Sequence, residues 1–301
     1  MPLLIKVIVN AGSGSVECDE TKRRLQAAFR AHSIEAEIHL AQSGREIIEL
    51  AKRAAQSDTE IICAGGGDGT ISAVASIVSG TNKTLGVLPL GTLNNFSKDL
   101  RIPQNIEEAV RVIAENNVKQ IDVGEVNGHI FVNNSSIGLY PHIVKDREQQ
   151  QHLGHGKWRS AFWAALKILK HSPFFAVKLE TEENIRIVKT PFVFVGNGEY
   201  EMDFFNIGRR AEIDDGKLSV YFLHRSGRKG LFLLALRTIF GRLRQTKDFE
   251  EISVTEITFE TKKRQILVAF DGEIKMLKTP LHYKIHPQVL RVIAPQEISR
   301  E

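Results

Sequence analysis

"ICAGGGDGTISAVAS", Ile62 to Ser76, sets four glycines around one aspartate between two apolar segments. The first segment reads as a strand and the second as a helix, so backbone N–H groups and the positive helix end can face an anion at the loop. Without side chains the backbone can approach oxygen atoms closely, and a positive φ costs little. A tight turn rarely needs so many glycines in succession. The loop has no Gly-Lys-Ser/Thr ending of a P-loop, and Thr70 stands where a dinucleotide fingerprint needs its third glycine. Asp68 would repel phosphates unless a divalent cation lay between, which implies Mg²⁺ or a proton-transfer role.

Two further loops leave apolar runs in the same way: "NAGSG", Asn10 to Gly14, and "PLGTLNNF", Pro89 to Phe96. "NAGSG" alone is equally well a plain turn. Around these loops short apolar runs alternate with amphipathic stretches: "LLIKVIVN", a helix over "CDETKRRLQAAFRAH", "IEAEIHL", a helix opened by Ser43 with Glu46 at capping-box spacing, "EIICA", a helix from Thr70, "TLGVLPL", and a helix over "IEEAVRVIAENN". Strands separated by helices predict a parallel sheet covered on both faces. In such a sheet the strand carboxyl ends share one edge, so the three loops converge.

After about residue 120 the pattern changes. "IDVGEVNGHIFVNNSSIG" reads as two strands joined at Asn127 and Gly128, and strand-like runs dominate from there: "FFAVKLE", "IRIVK", "PFVFVGN", "KLSVYFLH", "VTEITFE", "QILVAF" and "VLRVIA". The expected organisation is an α/β domain over 1–120 and a β-rich domain over 121–301, with the last segment able to return to the first domain and a substrate cleft between the two. At 301 residues, two domains fit better than one core.

The balance of 40 Lys and Arg against 36 Asp and Glu suits phosphate-bearing ligands or an anionic membrane surface. No basic block tracks a nucleic-acid backbone, and 7% aromatic residues supply no stacking platform, which argues against nucleic acid. Cys18 and Cys63 form neither a disulfide framework nor a metal spacing, as expected in a reducing compartment such as the cytoplasm. The start "MPLLIKVIVN" reads as a strand rather than a signal peptide, and no segment approaches the ~20 apolar residues of a membrane span.

In the second half, "AFDGEIKM" places Asp271 and Glu273 at the end of an apolar strand, on the same face because the spacing is two; a bare Asp-Gly hairpin turn is the alternative. "AEIDDGKLSV" offers Asp214 and Asp215 before Gly216, as a hairpin turn or a cation site.

Together "GGGDGT", "PLGTLNNF", "DDGKL" and "FDGE", in this order over nearly the whole chain, resemble the diacylglycerol-kinase-like lipid kinases of bacteria, within the superfamily that includes sphingosine kinases and NAD kinases. The resemblance implies an N-terminal α/β nucleotide domain, its parallel sheet flanked by helices, and a C-terminal β-sandwich-like domain, with ATP bound between them. It implies that Asn10, Ser43, Gly66, Gly67, Asp68, Gly69, Thr70 and Thr92 touch ATP or its Mg²⁺. It matches Glu273 to the base that takes the proton of a lipid hydroxyl, with Asp271 helping to hold that site, and places a structural Mg²⁺ on the Asp215 side chain and backbone oxygens of Glu212 and Lys217. The implied activity is ATP-dependent phosphorylation of diacylglycerol or a related lipid alcohol. The alternatives are an NAD kinase or other small-molecule kinase, and a noncatalytic nucleotide- or lipid-binding protein.

A membrane lipid substrate would call for peripheral contact at the inner membrane face. Two basic, apolar stretches suit it, "GKWRSAFWAALKILKH" and "RSGRKGLFLLALRTIFGRLR", although a core-packed helix with a basic edge has the same composition. His152 and His155 lie in a polar connection without partners at metal-ligand spacing.

Overall fold

The computed structural model describes residues 4–12, 18–138, 175–181, 185–202, 207–210, 213–223 and 249–296. The chain forms two compact units, Met1–Val123 with His286–Glu301, and Gly124–Ile285. The first unit carries β1 (Leu4–Asn10), α1 (Cys18–Ala31), β2 (Glu35–Ala41), α2 (Gly44–Ala55), β3 (Ile61–Gly66), α3 (Asp68–Val78), β4 (Thr84–Pro89), α4 (Asn95–Asp99) and α5 (Ile106–Glu115), and β5 (Val118–Val126) leads out of it. The second carries β6 (His129–Phe131), β7 (Asn134–Gly138), β8 (Phe175–Glu180), β9 (Ile185–Thr190), β10 (Phe192–Asn197), β11 (Tyr200–Met202), β12 (Ile207–Arg210), β13 (Leu218–Leu223), β14 (Phe249–Val254), β15 (Glu256–Glu260), β16 (Gln265–Phe270) and β17 (Glu273–Lys278), and β18 (Leu281–Ile293) leads back.

In the first unit the strand order is β2-β1-β3-β4, with the last residues of β18 beside β4. Each neighbouring pair is parallel. Every residue of β3 and β4 is buried, as expected of central strands covered on both faces. The helix patterns read from the sequence fall where expected, except that α3 begins at Asp68, two residues before Thr70. The short helix α4 was not anticipated at all.

The second unit is a sandwich. One sheet runs β14-β13-β10-β7-β16-β17 with antiparallel neighbours. The other pairs the first residues of β18 with β15, then β8 and β9, also antiparallel. Their shared core includes Phe131, Ile137, Val193, Val195, Phe222, Phe259, Val268 and Tyr283. Each such side chain contributes about 1.5–3 kcal/mol relative to exposure. Tyr283 is fully buried and its hydroxyl meets Ser135 Oγ at 2.9 Å; burial pushes the phenol up, so it stays neutral. The hairpin read at Asn127-Gly128 joins β5 to β6, with φ of 47° and 81° at its two central residues. A third strand, β7, follows where two were expected, and β11, β12, β14 and β17 were also not foreseen.

The two basic, apolar stretches considered as interfacial helices, and His152 and His155, lie outside the described residues. Among the described residues no helix is long and apolar enough to cross a membrane.

A Cβ at Gly86 on β4 would fall 2.5 Å from the buried Sγ of Cys63, its partner across the β3–β4 ladder. Gly86→Ala is therefore expected to cost about 1–3 kcal/mol by overpacking. Adding Cys63→Ala should recover most of that loss, as read by the midpoint of chemical denaturation.

Candidate functional site

The parallel register of the first unit brings the ends of β1, β3 and β4 to one edge. Asn10, the last residue of β1, donates from Nδ2 to Thr70 Oγ1 at 3.0 Å, while its Oδ1 accepts the Gly12 N–H at 3.0 Å. The loop after β4 is tied back by Leu90 N–H to Gly66 O at 3.1 Å. A Cβ on Gly91 would lie 2.3 Å from Gly67 Cα, and one on Gly66 would lie 2.6 Å from Thr70 Oγ1. At Gly91 only glycine lets the two loops meet, and at Gly66 only glycine leaves room for the Thr70 side chain.

The glycine run serves close approach, and its expected positive φ is not found. Positive φ among the described glycines occurs elsewhere, and Gly67 sits at φ −83° as the residue before α3. No side chain caps α3, which leaves the N–H groups of its first turn able to meet an anion. Ser43 does cap α2: its Oγ accepts the Glu46 N–H at 3.2 Å. Glu46 in turn accepts the N–H of Gln42, one residue before the cap, at 2.8 Å. Thr92 is exposed in the third loop.

Asp68 has partners that sequence reasoning missed. Its Oδ2 accepts the Asn95 N–H at 3.1 Å and its Oδ1 the Phe96 N–H at 3.0 Å. A carboxylate at the start of α4 satisfies two of its orphan donors and favours the helix dipole. The inference that Asp68 requires a cation to sit beside phosphates overlooked these amides. Asn94, left-handed at φ 53° and 5% exposed, turns the chain just before α4; its Nδ2 reaches Pro89 O, Gly91 O and Gln104 Oε1. The signal for this turn was the Asn-Asn pair, since asparagine tolerates that backbone region.

In the second unit Asp271 and Gly272 form the two-residue turn between β16 and β17, at φ 46° and 87°, and Phe270 faces Glu273 across the ladder. The single-face expectation is thereby corrected: the turn reverses the chain, burying Asp271 at 6% exposure and leaving the Glu273 side chain 46% exposed. The Asp271 carboxylate accepts three backbone N–H groups, from Val132 at 2.6 Å, Asn133 at 2.8 Å and Asn134 at 3.0 Å. Asn197 joins the same end of the sheet, with Nδ2 on Val132 O and N–H on Asn133 O. Gly198 N–H then reaches Lys217 O at 3.1 Å. This series links the Glu273 hairpin to the turn at Asp215, where Oδ1 accepts the Lys217 N–H at 3.2 Å. Glu212, the third member of the expected metal set, lies outside the described residues. Among the described residues no group of three His, Cys, Asp or Glu could hold a metal ion.

Glu273 stands in a small cluster. Lys275 Nζ is 3.7 Å from its Oε2 and 5.3 Å from the centroid of the Phe270 ring. His129 stacks on the same ring at 5.4 Å. Burial, then the charge of Lys275, holds the His129 imidazole below its usual range, against the opposing pull of Glu273 and Glu125.

Residues 5–126 match the diacylglycerol kinase catalytic domain, and residues 140–294 match the YegS C-terminal NAD kinase beta sandwich-like domain. The chain thus belongs to the diacylglycerol-kinase-like lipid kinase family. A Chromohalobacter salexigens protein named "Probable lipid kinase YegS-like" is 28% identical over 78% of this chain and 76% of its own length. A Staphylococcus aureus diacylglycerol kinase is 25% identical over 83% of this chain and 79% of its own. The crystal structure of a diacylglycerol kinase from Bacillus anthracis str. Sterne shares the fold with a TM-score of 0.71, at 23% identity over 97% of both chains.

Asp271→Ala would strip three N–H groups of their acceptor and is expected to cost about 3 kcal/mol or more. Glu273→Gln, on an exposed tip, should leave the denaturation midpoint nearly unchanged. His129 binds a proton less readily folded than unfolded, so its contribution to stability is full above the unfolded value of about 6.5 and is lost as pH falls toward the lower folded value. Denaturation measured from pH 7.5 to 5 should show this acid loss reduced in His129→Gln.

Proposed function

We propose that the protein is an ATP-dependent lipid kinase that transfers the γ-phosphate of ATP to a hydroxyl of diacylglycerol or a related lipid alcohol. The observation that carries this reading is the pairing of two family-matched units, each with its own prepared group: an uncapped helix start beneath converging glycine loops, and an exposed carboxylate on a hairpin fixed from below. The names of the relatives, a lipid kinase and a diacylglycerol kinase, point to the acceptor class.

In this reading Asn10, Ser43, Gly66, Gly67, Asp68, Gly69, Thr70 and Thr92 bind ATP. The Gly66–Thr70 backbone meets the phosphates, and Asn10 and Thr70 steady each other at the loop. Phosphoryl transfer needs alignment and charge neutralisation more than covalent help. Glu273 accepts the acceptor hydroxyl's proton as the new O–P bond forms and the bond to the ADP oxygen breaks. Asp271 does not touch substrate; it anchors the turn that presents Glu273.

The donors at Asp68 fit a Mg²⁺ that draws most ligands from phosphate and water, because each carboxylate oxygen accepts one amide and keeps a further lone pair. When bound with ATP, that ion would neutralise phosphate charge. A second, structural Mg²⁺ would be held by Asp215 with the backbone oxygens of Glu212 and Lys217. Binding of the protein at a membrane surface would bring it to its lipid.

The test is transfer of labelled γ-phosphate from Mg-ATP to diacylglycerol, other lipid alcohols, sphingosine and NAD. Glu273→Gln is the better blank, because Asp68→Ala also removes the acceptor of two α4 amides. We expect organic-extractable label that falls at least a hundredfold in Glu273→Gln, the scale of a lost general base. Label in NADP would replace the lipid reading, and turnover unchanged in Glu273→Gln would remove Glu273 as the base.

A further inference from the structure

We infer that Lys275 is a positioning residue for Glu273, held in place by the Phe270 ring on which His129 is stacked. The inference rests on the reading of Glu273 as proton acceptor. An exposed ion pair of this length is ordinarily weak, because two long side chains must be ordered for little gain. Here the ordering has separate support. The Lys275 ammonium lies 5.3 Å from the centroid of Phe270, within cation–π reach, and Phe270 itself is 5% exposed and packed in the sandwich core. The His129 ring lies within 17° of parallel to Phe270, so the platform is occupied by a flat, fixed group. Register adds a further constraint: Phe270 pairs with Glu273 and Val268 with Lys275, which puts all four side chains on one face of the β16–β17 hairpin.

The charged and titratable groups around Glu273 support the assignment. Lys275 comes from its own strand, His129 from β6, and Glu125 from β5 acts on His129. Asp271, at the turn, accepts three amide N–H groups. Burial, then the charge of Lys275, holds the His129 imidazole below its usual range, and among the described residues Lys275 is the cation paired with Glu273. A carboxylate on an exposed tip has several rotamers, and a fixed cation on one side selects among them, so that the free oxygen faces a constant direction.

Two measurements test this on the full-length protein. The first is ¹³C relaxation of the labelled glutamate side chains, with the Glu273 signal identified by its loss in Glu273→Gln. Lys275→Met should increase the mobility of the Glu273 side chain, and Lys275→Arg should restore its order. Unchanged Glu273 mobility in Lys275→Met overturns the inference, and this arm needs no lipid acceptor. The second is steady-state phosphorylation of dioleoylglycerol in detergent micelles. Lys275→Met should lower kcat about three- to fivefold with KM for ATP unchanged. Lys275→Arg should recover the rate, and in a Glu273→Gln background Lys275→Met should have no further effect. An equal additional loss in that background would mean a merely structural role and overturn the inference. Full turnover in Glu273→Gln overturns the base reading and this inference with it, whereas lost turnover there beside wild-type kinetics in Lys275→Met overturns the inference alone.

Discussion

Three backbone N–H groups, those of Val132, Asn133 and Asn134, converge on the buried carboxylate of Asp271, and the second unit's candidate chemistry hangs from that contact. A carboxylate is an acceptor-only group, and here it accepts all three of these amides. The contact fixes the approach to β7 against the end of β16 in the middle of the sheet. From there Asn197 and Gly198 extend the same bonding to the Asp215 turn. Glu273 can therefore be exposed and still well placed, since its backbone is anchored by its buried neighbour two residues away.

The first unit reaches a comparable result by different means. Its loops are brought together by the absence of side chains, with Gly67 and Gly91 backbones nearly in contact. Asp68 then fastens the third loop to the second through two amides of α4. A single acidic residue in a phosphate-binding setting is usually read for what it does to a ligand. Here it also holds the protein's own backbone, so a loss of function on its removal has two physical sources.

Much of this was legible in the chain, for reasons that differ from element to element. The strands β1, β3 and β4 are apolar runs with a glycine within two residues after their ends, and the amphipathic spacing of α2 and α5 is strong; both follow from burial of one face or both. Asn127-Gly128 could be read because few residue pairs accept two positive φ values in a row. The exposed edge strand β17, with a single buried residue, and the five-residue α4 could not, because neither leaves a periodic pattern. The Asp271 and Glu273 pair shows the limit most clearly. Counting by two is valid only while a strand continues, and the same Asp-Gly dipeptide that ends the strand put one carboxylate in the core and the other in water. The amide donors to Asp68 and Asp271 lie 27 or more positions away in the chain, beyond the range of any local pattern.

The Asn127-Gly128 turn also bears on how the molecule ages. Asparagine before glycine is the dipeptide most open to deamidation, in which the glycine nitrogen attacks the asparagine side-chain carbonyl carbon. In the folded chain both reacting groups are engaged. The Asn127 amide donates to Lys278 O and Pro280 O and accepts the His282 N–H, while the Gly128 N–H is bonded to Glu125. Deamidation would set a carboxylate oxygen against two carbonyls, so the native fold resists both the reaction and its product. Damage at this site should accumulate in proportion to the time the hairpin spends open, which makes the summed aspartate and isoaspartate content at position 127 a chemical record of local unfolding.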